Sequence, residues 1–193
     1  MACMLTYLQE ADPSEAPVSL WLQGGPGSSS MLGLFEINGP FQCLDDGNGG
    51  TTLDLNPYAW SRKVNMIYID NPTGTGFSHT GSAGLVTDQD EVATDLYELL
   101  TQFFTMFPEY QPNDFFVFGE SYAGKYVPTI SRKIHDENPT AAIPINFKGL
   151  GIGNGAMDPV NTDLYADFLY QVRWILSEIS IYVDHIILLS SHT

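Results

Sequence analysis

Basic residues are scarce in this chain: 7 Lys and Arg stand against 23 Asp and Glu, a formal net charge of −16 over 193 residues. That surplus repels phosphate backbones and anionic membrane surfaces alike, which argues against nucleic acid as a partner. Cysteine is scarcer still. Cys3 and Cys43 are the only two, too few for a disulfide framework and without metal-ligand spacing. They either pair with each other or lie buried as thiols, and neither a metal centre nor a cofactor is expected. No stretch approaches the ~20 apolar residues of a membrane span, and no succession of basic, apolar and small residues marks a secretory signal. Membrane insertion is therefore not expected. Glycosylation sequons are missing too, because Asn71 and Asn138, each with a Thr two places on, are both followed by Pro. There is no internal repeat and no low-complexity segment.

Apolar residues are not lacking. At 44% hydrophobic and 12% aromatic the chain can build a sizeable core, and its length suits a single domain. The acidic balance fits a compartment of low pH, where protonation removes part of the self-repulsion. Residues 4–8 and 18–22 read as short strands joined by a polar turn around Pro13, most simply a hairpin. Residues 64–70 are apolar enough to lie inside a sheet, and the glycine- and Asp-rich stretch 45–52 reads as a hairpin tip without chemistry. From Thr87 the pattern turns helical. Thr87 and Asp90 resemble a capping box, and Val92, Leu96, Leu99, Leu100, Phe103 and Phe107 recur at helical spacing until Pro108, a stripe suited to packing on a sheet. Residues 122–135 are expected to form a second helix, with a kink or late start at Pro128. Residues 147–153 read as a further strand. Strands alternating with crossover segments give an α/β class, a mixed and mostly parallel sheet with flanking helices.

The chemistry concentrates at three strand ends. Phe115-Phe116-Val117-Phe118 runs into Gly119-Glu120-Ser121-Tyr122-Ala123-Gly124, a strand ending in a sharp turn that would push the Ser121 hydroxyl out above the sheet. Taken alone, that serine could equally be a helix cap. Upstream, Gln23-Gly24-Gly25-Pro26-Gly27-Ser28-Ser29-Ser30 can bend tightly and present bare N–H groups, which suits an anion. It lacks the Lys of a phosphate-binding loop and matches no dinucleotide fingerprint, so an oxyanion hole is the better fit. Asn71-Pro72-Thr73-Gly74-Thr75-Gly76-Phe77-Ser78 is the third loop at a strand's carboxyl end, the edge where open α/β sheets gather ligand groups.

Those three segments, with Gly151-Ile152-Gly153-Asn154-Gly155, resemble in order the motifs of the serine carboxypeptidases. Gln23, in place of the more usual Asn, looks most like the vitellogenic-like branch of that family. The resemblance covers roughly residues 4–170 and implies the N-terminal portion of an α/β-hydrolase fold. It also implies that Ser121 is the acylated nucleophile and that the N–H groups of Gly25 and Tyr122 form the oxyanion hole. Family members trim one residue from a peptide's C-terminus and must hold its free carboxylate, a task that would fall here to Gln23, Gly24, Glu120 and Glu36. Glu36 departs from the pattern by one residue, since Ile37 stands where the family's glutamate normally does. A carboxyl side chain binds a carboxylate only when the two share a proton, so activity is expected at acidic pH. The substrate would be a peptide with a free C-terminus, and relatives enter the secretory or lysosomal route.

A nucleophilic serine needs a base, and this fold orders its triad Ser, then acid, then His. The histidines after Ser121 are His135, His185 and His192, and pairing Asp167 or Asp184 with His185 or His192 is a weak substitute. Residues 172–193 look like a divergent tail, an apolar run with no turn to set a histidine over the sheet. The expectation is therefore a single incomplete domain over residues 1–193, truncated at both ends and inactive alone. An esterase or acyltransferase on the same scaffold, and a catalytically inert fragment, are the alternatives.

Overall fold

The computed structural model describes residues 5–8, 15–81 and 84–158. The chain divides into two compact units, residues 1–155 and 156–193, and all elements named here belong to the first. Five strands form its main sheet: β1 (Leu5–Leu8), β2 (Val18–Leu22), β5 (Asn65–Ile69), β6 (Phe115–Glu120) and β7 (Phe147–Gly153), in the order β1-β5-β2-β6-β7. The pairs β5/β2, β2/β6 and β6/β7 are parallel, and only β1 runs against its neighbour. This corrects the expected hairpin of residues 4–8 with 18–22, because β1 pairs with β5, Leu5 opposite Ile69 and Leu8 opposite Met66. β2 instead lies between β5 and β6, with apolar residues on both faces and no free edge for a hairpin partner. A separate antiparallel pair, β3 (Phe41–Asp45) and β4 (Thr51–Leu55), confirms the expected hairpin tip.

The sheet's two faces follow from the period-2 alternation of its strands. Val18, Leu20 and Leu22 of β2, Ile67 and Ile69 of β5, and Phe115 and Val117 of β6 share one buried cluster. Trp21, Met66 and Tyr68 form a smaller cluster on the opposite face, with Phe118 packed against it. Two helices cover the larger face. Helix α1 (Gln89–Met106) contributes Val92, Leu96, Leu100, Phe103 and Phe104, and α2 (Ala123–Glu137) contributes Tyr126, Val127, Ile130 and Ile134. Leu20 is 0% exposed, so truncating it to Ala should cost about 2–5 kcal/mol.

Local signals place the helix ends. The N-cap of α1 is Asp88, one residue later than the expected Thr87, and its carboxylate accepts from Glu91 N at 2.9 Å. The Glu91 carboxylate reaches back to Thr87 N at 2.6 Å, so the reciprocal cap exists in a shifted frame. α2 begins regularly at Ala123 and runs through Pro128, which corrects the expected late start. Proline removes only the bond to Gly124 O, in the first turns of a helix anchored by a buried apolar stripe. Cys43 is exposed and unpaired, contrary to the expected buried thiol or disulfide, and Cys3 lies outside the described residues.

On the smaller face the chain winds a short π-helical turn, Gly33–Ile37. Its wide pitch brings both Asn38 N and Gly39 N to Gly33 O, at 2.9 and 3.1 Å. Gly33 rests directly on the Trp21 indole: a Cβ there would stand 2.6 Å from Trp21 Cδ1. Tyr68 Oη donates to Asn38 Oδ1 at 2.9 Å and fastens the end of the turn to β5.

Candidate active site

Strand β6 ends at Glu120 and α2 starts at Ala123, leaving Ser121 to make the reversal with φ at +62°. A left-handed backbone costs a non-glycine residue about 1–3 kcal/mol and persists only where its surroundings impose it. Here Ser121 N donates to Gly153 O at 3.0 Å and Gly124 N to Ser121 O at 2.9 Å, so both sides of the turn are tied. The serine side is exposed, as an elbow at a sheet's carboxyl edge requires.

The glycine loop after β2 lies against this elbow. At Gly24 a Cβ would stand 2.7 Å from Glu120 O and 2.8 Å from Ser121 Cβ, and closer still to Tyr122 N. Only glycine fits. Gly25 follows with φ at +110°, and Ser28 N donates to Gly24 O at 3.0 Å to close the loop. Among the described residues, neither the Gly25 nor the Tyr122 amide donates to a backbone acceptor. The Gly25–Pro26 and Asn71–Pro72 peptides are cis.

Gln23 and Glu120 are brought together on the Trp21 face of the sheet. Gln23 Nε2 donates to Glu120 Oε2 at 2.8 Å, and Trp21 Nε1 donates to Gln23 Oε1 at 3.1 Å, which fixes which end of the amide meets the carboxylate. Glu36 is not part of this group. It lies exposed in the π turn, and no hydrogen bond joins it to Gln23, Gly24 or Glu120 among the described residues; Ile37 beside it is 42% exposed. On the helix face, Tyr122 meets the buried Tyr126 edge-on at 5.3 Å between ring centres. Burial, only partly offset by the Gly27 backbone beside its hydroxyl, pushes Tyr126 up to about 12, so it stays neutral. A cavity of about 130 Å³ opens there, lined by Pro26, Pro72, Gln89, Val92, Tyr122 and Tyr126.

No histidine hydrogen-bonds to Ser121 among the described residues. His79 is exposed near Phe77 O, and His135 is exposed in the last turn of α2, the place where a cation meets the helix dipole favourably. His185, His192, Asp167 and Asp184 lie outside the described residues. Sequence reasoning missed Asp70, a fully buried carboxyl at the end of β5 that joins the glycine loop to the 71–78 loop. The signal was present: a charged residue closing an otherwise apolar buried strand needs a reason to be desolvated.

A mostly parallel sheet with helices packed on it, a strained serine between strand and helix, and a glycine loop laid against that turn define an α/β-hydrolase core. The chain belongs to the serine carboxypeptidase family, whose sequence model matches residues 5–183. It is 54% identical over 162 residues to the venom serine carboxypeptidase of Apis mellifera, covering 83% of this chain and 34% of that protein. It is 50% identical over 165 residues to the probable serine carboxypeptidase CPVL of Homo sapiens, covering 84% of this chain and 34% of the other. The vitellogenic carboxypeptidase of Aedes aegypti is 43% identical over 159 residues, 82% of this chain and 32% of its own. A crystal structure of a prohormone-processing carboxypeptidase from Saccharomyces cerevisiae superposes with a TM-score of 0.80 at 32% identity, over 91% of this chain and 38% of that one. The chain thus spans about a third of the length of the curated relatives it matches. No helix among the described residues is long and apolar enough to cross a membrane.

Proposed function

We propose that this chain carries the nucleophile, oxyanion hole and carboxylate-recognition half of a serine carboxypeptidase acting on peptides. Ser121 Oγ attacks the last peptide carbonyl, forming the acyl bond as the C–N bond breaks and the C-terminal amino acid leaves; water then hydrolyses the ester. The proton of Ser121 passes to a histidine base outside the described residues and on to the leaving amine. The Gly25 and Tyr122 amides hold the developing oxyanion. Gln23, Gly24 and Glu120 receive the terminal carboxylate, with one proton shared between it and Glu120, so catalysis belongs to acidic pH and to a secretory or lysosomal setting.

The observation that carries this reading is the fit of Gly24 against Ser121 and Tyr122, which lays the glycine loop directly against the elbow, as an oxyanion hole built from both would require. The Gln23–Glu120 pair favours a carboxypeptidase over an esterase on the same scaffold, because an ester without a free carboxylate has no use for it. Identities of 50–54% to the CPVL and venom enzymes, against 43% to the Aedes vitellogenic enzyme, favour a branch with the former. Covalent labelling by a fluorophosphonate at about pH 5 tests the nucleophile without needing the right peptide. Stoichiometric labelling that disappears in Ser121→Ala would assign the nucleophile and show that a base lies within these 193 residues, against the expectation that the chain is inactive alone; labelling that survives the substitution would overturn Ser121 as the nucleophile. A folded wild-type chain that stays unlabelled would agree with a half that carries the nucleophile without its base.

A further inference from the structure

Asp70 is 0% exposed, and no Lys, Arg or His forms an ion pair with it among the described residues. A buried carboxylate without a cation is tolerated only when its oxygens are filled by donors. They are filled from two loops. Oδ1 accepts from Ser29 Oγ at 2.6 Å and from Ser30 N at 2.8 Å, both in the glycine loop. Oδ2 accepts from Phe77 N at 2.8 Å, and the Asp70 carbonyl accepts from Ser78 Oγ at 2.7 Å, both in the loop after β5.

The hold is passed to the other end of the glycine loop through Ser30. Its hydroxyl donates to Ile69 O at 2.5 Å and accepts from Gln23 N at 3.1 Å. Gln23 directly precedes Gly24 and Gly25. The carboxylate therefore grips the loop's exit, and the residue it grips there in turn fixes the loop's entry.

We propose that Asp70 is a positioning residue for the oxyanion hole, setting where the Gly25 amide stands relative to the Tyr122 amide by clamping the glycine loop to the 71–78 loop. The proposal rests on the reading of Gly25 and Tyr122 as oxyanion donors. Asp70 touches no reacting atom; it acts through Ser29, Ser30 and Gln23. Three donors converge on its two oxygens, and charge-assisted bonds of this kind are the shorter and stronger class. An amide in its place turns one acceptor into a donor, so at least one of the two loops must let go.

The test compares Asp70→Asn with the wild-type chain in two readouts, site-resolved amide exchange and fluorophosphonate labelling. In the variant, exchange at Gln23 and Ser30 should speed up by roughly tenfold or more while core amides of β2, β5 and β6 keep their protection. Labelling of Ser121 should slow by roughly 10–100-fold, a misplaced donor costing less than a deleted one. Ser29→Ala removes one donor to the same oxygen and should move both readouts the same way by less, which decides the matter if Asp70→Asn does not fold. Unchanged exchange at Gln23, or equal acceleration across the core strands, overturns the clamp and leaves Asp70 a merely structural residue. Unchanged labelling in both variants of a labelled wild type also overturns it. An unlabelled wild type whose Gln23 exchange still responds shows that Ser121 is not activated in this chain and leaves the clamp standing.

Discussion

The loops 23–30 and 71–78 have no repeating backbone geometry, yet Gln23, Ser30, Asn71, Thr73, Thr75 and Ser78 are all buried. Strands β3 and β4 form a regular antiparallel ladder with five paired residues on each side, yet every residue from Cys43 to Leu55 is exposed, Leu53 at 54% and Leu55 at 70%. Order in the first region comes from side chains meeting backbone across loops: Asp70, Ser30 and Ser78 each satisfy a group that no ladder supplies. Order in the hairpin comes from the ladder and its turn, where Asp46 accepts from Asn48 N and Gly50 N. Regularity and burial are thus separable in this molecule. The irregular region is where substitutions should tell.

The sharpest way to break the comparison is Gly24→Ala. One methyl group set against the backbone of Glu120 and Tyr122 must push the glycine loop from the elbow, at a cost of about 1–3 kcal/mol in stability and a loss of roughly 10²–10³-fold in the labelling rate of Ser121. Denaturant unfolding and labelling kinetics check the two effects separately; a fully active variant would show that the loop and the elbow are not one unit.

A smaller effect is expected at Glu120, whose proposed task is to bind substrate and not to order the loops. The wild-type chain should bind a short peptide with a free C-terminus more tightly at about pH 5 than at pH 7, by roughly tenfold, because a proton must be shared between two carboxyl groups. Glu120→Gln can donate without that proton and should flatten the difference, while a C-terminally amidated peptide should show no pH preference in either. Calorimetric titration reads all four arms. The smallest effect belongs to the hairpin: Leu55→Thr or Leu53→Thr should change stability by no more than about 0.5 kcal/mol, since neither side chain loses a buried contact. A loss of several kcal/mol in either would mean that the hairpin is tied to the core by more than its ladder.

Much of this organisation is legible from the residues themselves. The apolar runs of β2, β5 and β6 announce strands, that of β5 an interior one, the stripe of α1 announces its packed face, and Gly119 with Ser121 announces the elbow. What could not be read is what depends on distant partners. The pairing of β1 with β5 rather than β2 is decided by which strand fills the sheet's interior, not by the turn between them. The cap of α1 slipped by one residue because Asp88 and Thr87 compete for one task within hydrogen-bond reach of the same Glu91. At the site, the Gln23–Glu120 contact spans 97 positions and the Asp70–Ser29 contact 41. The strand ends could be named in advance, but not which side chains would touch across them.

The π turn at Gly33–Ile37 has a consequence for how this family can vary in length. A turn wound with five residues where an α-helix uses four absorbs an extra residue without displacing its flanks, which here are pinned by the Trp21 indole beneath Gly33 and by the Tyr68 hydroxyl on Asn38. Removing one residue from it would leave both flanks in place and rotate everything between them by a step. A single-codon insertion or deletion in this turn therefore exchanges the directions taken by the exposed Glu36 and Ile37 without rebuilding the fold.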